Sequence, residues 1–230
     1  MKQTMVALGT LERTTSSGVV FDTLFEQITR LELLPGTKIS ETDVAKSFGV
    51  SRQPVREAFT RLAGLNLLLI RPQRATIVRP FSRKLIASAR FVRAAIELEV
   101  VRAAAKDRDT SIDAPLKANL KQQADAVSAG DVTLFHELDY QFHQLLCASG
   151  KQTFAFAIIA ENKAQVDRLC MLSLTSKEAM EALYEDHQTL LKAMFGGDAK
   201  AADDVLRVHL DRLTPTIDAI YTTHKGYFDE

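Results

Sequence analysis

The sequence predicts a mainly α protein, with an N-terminal winged helix-turn-helix followed by an all-α antiparallel helical bundle. Three observations predict it. Two short amphipathic helices meet at a single glycine within residues 40–64. Two apolar runs flank a four-residue turn at 67–78. From Arg83 onward, apolar residues recur only at helical spacing. A chain of 230 residues is long enough for two modest domains. We place them at 17–80 and 81–230, behind a flexible arm at 1–16.

Formal net charge is zero, but it is unevenly spread: residues 1–80 hold 11 Lys and Arg against 7 Asp and Glu, and residues 81–230 hold 18 against 22. A basic front and an acidic rear fit a DNA-reading module joined to a sensing module. Cys147 and Cys170 are the only cysteines and form no CxxC, which points to a reducing compartment. No run of 18 apolar residues occurs, and no continuous apolar segment follows Lys2. The expectation is a cytoplasmic protein with no membrane partner.

In chain order, Thr14-Thr15-Ser16-Ser17 closes the arm. The first helix should turn Phe21, Leu24, Phe25, Ile28 and Leu31 inward and end at the Leu34-Pro35-Gly36-Thr37 turn. Ser40 and Asp43 form a capping-box pattern for a short helix with Val44 and Phe48 inside, and Gly49 supplies the left-handed turn. Ser51 then caps a third helix that tolerates Pro54 in its first turn. Its buried face is Val55, Ala58, Phe59 and Leu62, with Arg52, Gln53, Arg56 and Thr60 on the other side. Four residues apart, Arg52 and Arg56 project in one direction. A paired-arginine front on a short helix suits the DNA major groove, where arginine reads guanine or grips phosphate. Taken alone, the same helix could be an ordinary one with a solvated face. The hairpin that follows favours DNA: Leu67-Leu68-Leu69-Ile70 and Ala75-Thr76-Ile77-Val78 as strands make a wing, with Arg71 and Arg74 at its tip. Pro80 and Ser82 mark a linker.

Pro35-Gly36, Ile39, Glu41, Val44-Ala45 and the run Phe48-Gly49-Val50-Ser51-Arg52-Gln53-Pro54-Val55-Arg56-Glu57-Ala58 resemble the winged-helix signature of the GntR family of bacterial transcription regulators. Arg71-Pro72-Gln73-Arg74-Ala75-Thr76 matches its wing, with Ala75 where the family usually has glycine. Thr42 stands where some members place an arginine on DNA. The resemblance implies a homodimer on a palindromic double-stranded DNA operator, contacted by Ser51, Arg52, Gln53, Arg56, Thr60, Arg71 and Arg74.

Beyond the linker we expect six helices, near 83–108, 112–129, 131–148, 152–174, 176–195 and 198–223. A Thr175/Glu178 capping box opens the fifth, and Gly196-Gly197-Asp198 caps the last. Polar groups interrupt the inward stripes. His187 lies among Met180, Leu183, Leu190 and Met194, and His209 among Ala202, Leu206, Leu213 and Ile217. Asp139 and His143 lie one turn apart beside Phe135, Phe142 and Leu146. A lone histidine on an apolar face is usually a hydrogen-bonded core residue. Three of them on three helices of one bundle point to a shared cation, because uncompensated burial is costly. Arg93 interrupts the stripe of Ile86, Ala89, Ile96 and Val100. It either pairs with Glu97 or faces the central cavity, where it would bind a carboxylate.

This all-helical half resembles the FadR-type ligand-binding domain, called FCD. The resemblance implies a divalent metal on Asp139, His143, His187 and His209, with Zn²⁺ or Ni²⁺ suiting that donor set. It implies effector contacts from Arg93 and Arg90, and from Arg168 within Gln165-Val166-Asp167-Arg168, with Cys170 where a second arginine is common. His136 is expected at the surface. The reading is a transcription regulator, a repressor by family habit, that senses a small organic or sugar acid. One alternative is a purely structural metal. A metal-dependent hydrolase is another, disfavoured because no HExxH pairing is present.

Overall fold

The computed structural model describes residues 15–173 and 177–229, apart from the side chains of residues 163–165, 167, 170 and 173. Residues 1–14 of the expected arm, Thr175 of the expected capping box and the side chain of Cys170 lie outside the described residues.

The N-terminal unit is built on α1 (Ser16–Thr29), whose first turn is closed by Thr15, the Oγ1 of which accepts the Gly18 N–H at 3.1 Å. Val20, Leu24 and Ile28 are buried, and Phe21 and Phe25 stack at its edge. Leu31 falls beyond the helix end, with φ of 60° rather than on the helical face expected. Then come α2 (Glu41–Phe48), capped by Ser40, and Gly49 with φ of 64°. This left-handed turn reverses the chain into α3 (Arg52–Gly64). Val55, Ala58, Phe59 and Leu62 are fully buried, as the periodicity predicts. Ser51 stands at the N-cap but makes no side-chain capping bond. The reason is local: Pro54 occupies the third helical position and has no N–H for the cap to accept.

The wing has three strands, not two. Strand β1 (Lys38–Ile39) pairs antiparallel with β3 (Thr76–Val78), which pairs with β2 (Leu68–Leu69). At two residues, β1 is too short to leave an alternating pattern in the sequence.

The linker is clamped by the far end of the chain. Phe81 N–H donates to Tyr227 O at 2.7 Å, and Asp229 N–H donates to Phe81 O at 2.8 Å. The Phe81 and Phe228 rings meet at 5.3 Å. The bundle comprises α4 (Arg83–Asp107), α5 (Asp113–Ala129), α6 (Val132–Ser149), α7 (Thr153–Ser173), α8 (Lys177–Phe195), α9 (Ala199–Asp211) and α10 (Leu213–Thr223). The expected sixth helix is therefore two helices. Pro215 has no N–H for the Asp211 carbonyl and its ring crowds that carbonyl, so the chain breaks at Arg212. Val101, Leu116, Phe142, Leu146, Ile159, Leu190 and Leu206 form the main core of this half.

Candidate functional site

Two groups of polar side chains stand out, one on the surface and one sealed in the bundle. On the surface, the N-terminal turn of α3 carries Arg52 and Arg56 with 60% and 58% of their side chains exposed. Both lean toward one carboxylate, Glu41, from the first turn of α2. Arg52 Nη2 donates to Glu41 Oε2 at 3.1 Å. Arg56 donates through Nη2 to Oε2 at 3.2 Å and through Nε to Oε1 at 3.4 Å. These bonds, that of Arg56 foremost, hold the Glu41 carboxyl below its ordinary value despite partial burial. Gln53 donates to Glu57 on the same helix, and Thr60 Oγ1 donates to Arg56 O. At the wing, Arg74 is exposed and Arg71 half-buried, and the turn closes by Arg74 N–H donating to Arg71 O at 3.3 Å. Its left-handed residue is Gln73, with φ of 56°.

In the bundle, α6, α8 and α9 bring Asp139, His143, His187 and His209 together. All four are buried, and one donor atom from each lies within 4.8 Å of the others. His143 Nε2 and His187 Nε2 lie 3.7 and 3.6 Å from Asp139 Oδ1, and His209 Nε2 lies 3.3 Å from His143 Nε2. A tetrahedral cation bound at about 2.0–2.2 Å sets its donors roughly 3.4 Å apart, so this spacing fits a first-row divalent ion. His187 Nε2 is buried with no hydrogen-bond partner among the described residues. A buried lone pair in that state is costly without a hydrogen-bond donor or a cation to take it.

Each imidazole is steadied at its outer nitrogen. His143 Nδ1 faces Glu97 Oε2 at 2.7 Å, His187 Nδ1 faces Gln123 Oε1 at 2.8 Å, and His209 Nδ1 faces Asp186 Oδ2 at 3.5 Å. The second of these can be assigned by following donors from a fixed acceptor. Leu138 O only accepts, so Asn119 Nδ2 must face it, at 3.1 Å. Asn119 Oδ1 then accepts from Gln123 Nε2 at 2.7 Å, which leaves Gln123 Oε1 to accept the His187 Nδ1–H. His187 therefore turns an unprotonated Nε2 inward. Burial pushes its pKa well below the ordinary histidine value, and positive charge at His209 adds to this. Burial likewise lowers His209. Burial is the largest influence on His143 too and acts against its charged form, but the Glu97 and Asp139 carboxylates together outweigh it and the pKa rises.

A cavity of about 870 Å³ opens beside the cluster, lined by Arg90, Arg93, His136, Asp139, His209 and Arg212 among others. Arg93 takes both courses left open by the sequence. It pairs with Glu97 through Nε, and its Nη2 reaches His143 Nε2 at 2.9 Å while the side chain lines the cavity. Arg90 is held by Asp211 at 2.9 Å and Thr214 at 2.7 Å. Two expectations change. His136, expected at the surface, is half-buried and lines the cavity, because it sits one turn before Asp139 on the same face of α6. Arg168, expected at the effector, is not among the lining residues. Fully buried, it lies 4.6 Å over the Phe81 ring with no hydrogen-bond partner among the described residues. Burial pushes its pKa down to about 10. Sequence reasoning gave no role to Gln123 or Asp186. The available signals were the shared face of Asn119, Gln123 and Leu116 on α5, and the adjacency of Asp186 to His187.

Comparison with known proteins places these two groups in context. A family model described as bacterial regulatory proteins, gntR family, matches residues 16–78, and the FCD domain model matches residues 89–212. The HTH-type transcriptional repressor RspR of Escherichia coli is 35% identical over 211 residues, 92% of each chain. The probable D-xylose utilization operon transcriptional repressor of Paenarthrobacter nicotinovorans is 27% identical, over 89% of this chain and 90% of its own. The solved structure of Escherichia coli McbR/YncC shares the fold, with a TM-score of 0.76 at 20% identity over 91% of this chain and 99% of that one. Among the described residues, no helix is long and apolar enough to cross a membrane.

Proposed function

Because this chain belongs to the GntR family of bacterial regulatory proteins, a family of DNA-binding transcription regulators rather than enzymes, we propose that it is a metabolite-responsive repressor whose FCD domain senses a small carboxylic acid beside a bound divalent cation. One observation carries the reading. The four buried donors Asp139, His143, His187 and His209 converge at cation spacing and border a cavity with arginines on its wall. The relatives named as repressors supply the sign of regulation.

On DNA, a homodimer sets two α3 helices about one helical turn apart on a palindromic operator. Arg52 and Arg56 read bases or grip phosphate, with Ser51, Gln53 and Thr60 adding hydrogen bonds and Arg71 and Arg74 meeting the backbone at the wing. In the bundle, Asp139 and the three imidazoles would hold Zn²⁺ or Ni²⁺, which would supply a Lewis-acidic centre for a carboxylate oxygen. Arg93 now occupies the His143 lone pair that a cation would take. Arg93, paired with Glu97 and lining the cavity, would grip the acid's carboxylate together with Arg90. Arg168 serves the linker instead.

The acid shifts DNA affinity only by its different affinity for two arrangements of the molecule. The route is short. Arg212, Leu213 and Thr216 line the cavity, while Ile217 and Ile220 one turn later pack on Phe81 and Phe228 at the linker. Such a protein works in the cytoplasm, with no membrane partner.

The test is thermal melting of the chain loaded with Zn²⁺ or Ni²⁺ and titrated with small mono- and dicarboxylic acids. At least one acid should raise the midpoint and release labelled operator in parallel. If no acid in a broad panel moves the midpoint while DNA binding persists, the cation is a structural staple.

A further inference from the structure

The Glu41 carboxylate lies between the two arginines that front α3, and nothing in the family assignment or the relatives' names gives it a part. Its side chain is 25% exposed, so it is partly sheltered where both guanidiniums are open. A surface carboxylate beside arginines that meet phosphate is unfavourable for DNA affinity, because it repels the backbone and neutralises one of two positive charges. A feature that weakens gross affinity and yet bonds both arginines calls for another effect.

The atoms supply one. A guanidinium has five N–H donors, one on Nε and two on each Nη. Arg56 commits its Nε and one N–H of Nη2 to Glu41, which orients the opposite edge, Nη1 with the second N–H of Nη2, away from the carboxylate. Arg52 commits a single Nη2 hydrogen. Each guanidinium is thus fixed by Glu41 while keeping a free two-donor edge, the arrangement needed for guanine O6 and N7. Glu41 is itself fixed, since it sits in the first turn of a helix whose cap, Ser40, accepts the Thr42 and Asp43 N–H groups.

We propose that Glu41 is a specificity-determining positioning residue: it presets the Arg52 and Arg56 guanidiniums for base edges and reduces their charge, lowering affinity for arbitrary DNA in favour of discrimination. The inference rests on the reading that Arg52 and Arg56 meet DNA.

The experiment compares the full-length chain with Glu41→Gln, Glu41→Asp and Arg56→Ala. Fluorescence anisotropy is read on two duplexes of equal length, one enriched from a randomised library by the wild-type chain and one of scrambled sequence, across a salt series. Glu41→Gln should bind the scrambled duplex about three- to tenfold more tightly, with a steeper salt dependence. Its preference for the enriched duplex should fall about tenfold or more. Glu41→Asp keeps the charge on a shorter stem, so affinity for scrambled DNA should return to wild type while preference stays reduced. Two results would overturn the inference. One is an unchanged preference and salt slope in Glu41→Gln. The other is an equal loss on both duplexes with a lowered melting temperature, which would make Glu41 a helix-start residue only. Arg56→Ala separates the two levels. Loss of binding in Arg56→Ala with no change in Glu41→Gln removes the role of Glu41 alone, whereas no change in either removes the arginine reading beneath it.

Discussion

On α3, Arg52 and Arg56 share one carboxylate with more than half of each side chain in water; on α4, Arg93 shares Glu97 and His143 with 11% of its side chain accessible. The chemistry is the same and the consequences are opposite. An exposed pair contributes about 0–1 kcal/mol, so a DNA phosphate or base can replace or join the carboxylate at little cost. A buried pair costs about 3–5 kcal/mol to break from one side, because the remaining charge has no water to turn to. On the proposed reading, the α3 face that meets DNA is therefore suited to exchange partners, and the cluster in the bundle to hold them until a strong ligand such as a cation competes.

The largest expected effect comes from breaking the buried member of this comparison. Glu97→Ala removes the carboxylate that Arg93 and His143 share, leaving Asp139, 3.7 Å from His143, as the neighbouring negative charge, and should lower stability by about 3–5 kcal/mol in chemical denaturation. A loss below 1 kcal/mol would mean that water reaches Arg93 and that the contrast is false. A smaller effect is expected at Gln123, which fixes the inward Nε2 of His187. Gln123→Leu should weaken divalent-metal affinity about 10–100-fold in a chelator competition. Unaltered affinity would show that the Leu138–Asn119–Gln123 chain does not orient the ring. Arg56→Ala should weaken binding to the enriched duplex by about 1–3 kcal/mol without changing thermal stability. Equal binding at fixed salt would remove Arg56 from the reading set.

Acid sharpens the same contrast. Burial raises the Asp186 pKa, but hydrogen bonds from Arg212 and His209 outweigh it and hold the carboxyl down to about 2. A depressed carboxyl stabilises the fold above its ordinary value of 3.8, and that stabilisation is lost as pH falls toward 2. Asp186→Asn should flatten this acid limb of the stability curve. An unchanged limb would show that other carboxyls set it.

The difference between the halves also explains what the sequence made legible. The inner face of α3 could be read directly, because Val55, Ala58, Phe59 and Leu62 recur at helical spacing and nothing else competes for that face. The four converging donors were legible for the same reason: a polar residue in an apolar stripe is conspicuous. Their outer partners were not. Asn119 and Gln123 share a helical face with Leu116, which marks them as inward, but only tertiary packing supplies the Leu138 carbonyl and the His187 ring they bond. Strand β1 is two residues held by β3, so its conformation is dictated by its neighbour. The break at Arg212 was readable from Pro215, but an apolar stripe running from Ala202 to Ile220 on both sides of His209 pointed to one continuous helix. Arg168 is buried over the Phe81 ring of the linker, a contact between residues far apart in sequence that no local pattern encodes.

Native mass spectrometry of the chain after exposure to Zn²⁺ or Ni²⁺ addresses the proposed cation site itself. Wild type should carry one divalent cation per chain and His187→Ala none, with both proteins still binding DNA. A wild-type chain that carries no cation, or a variant that keeps it, would rule out this ligand set.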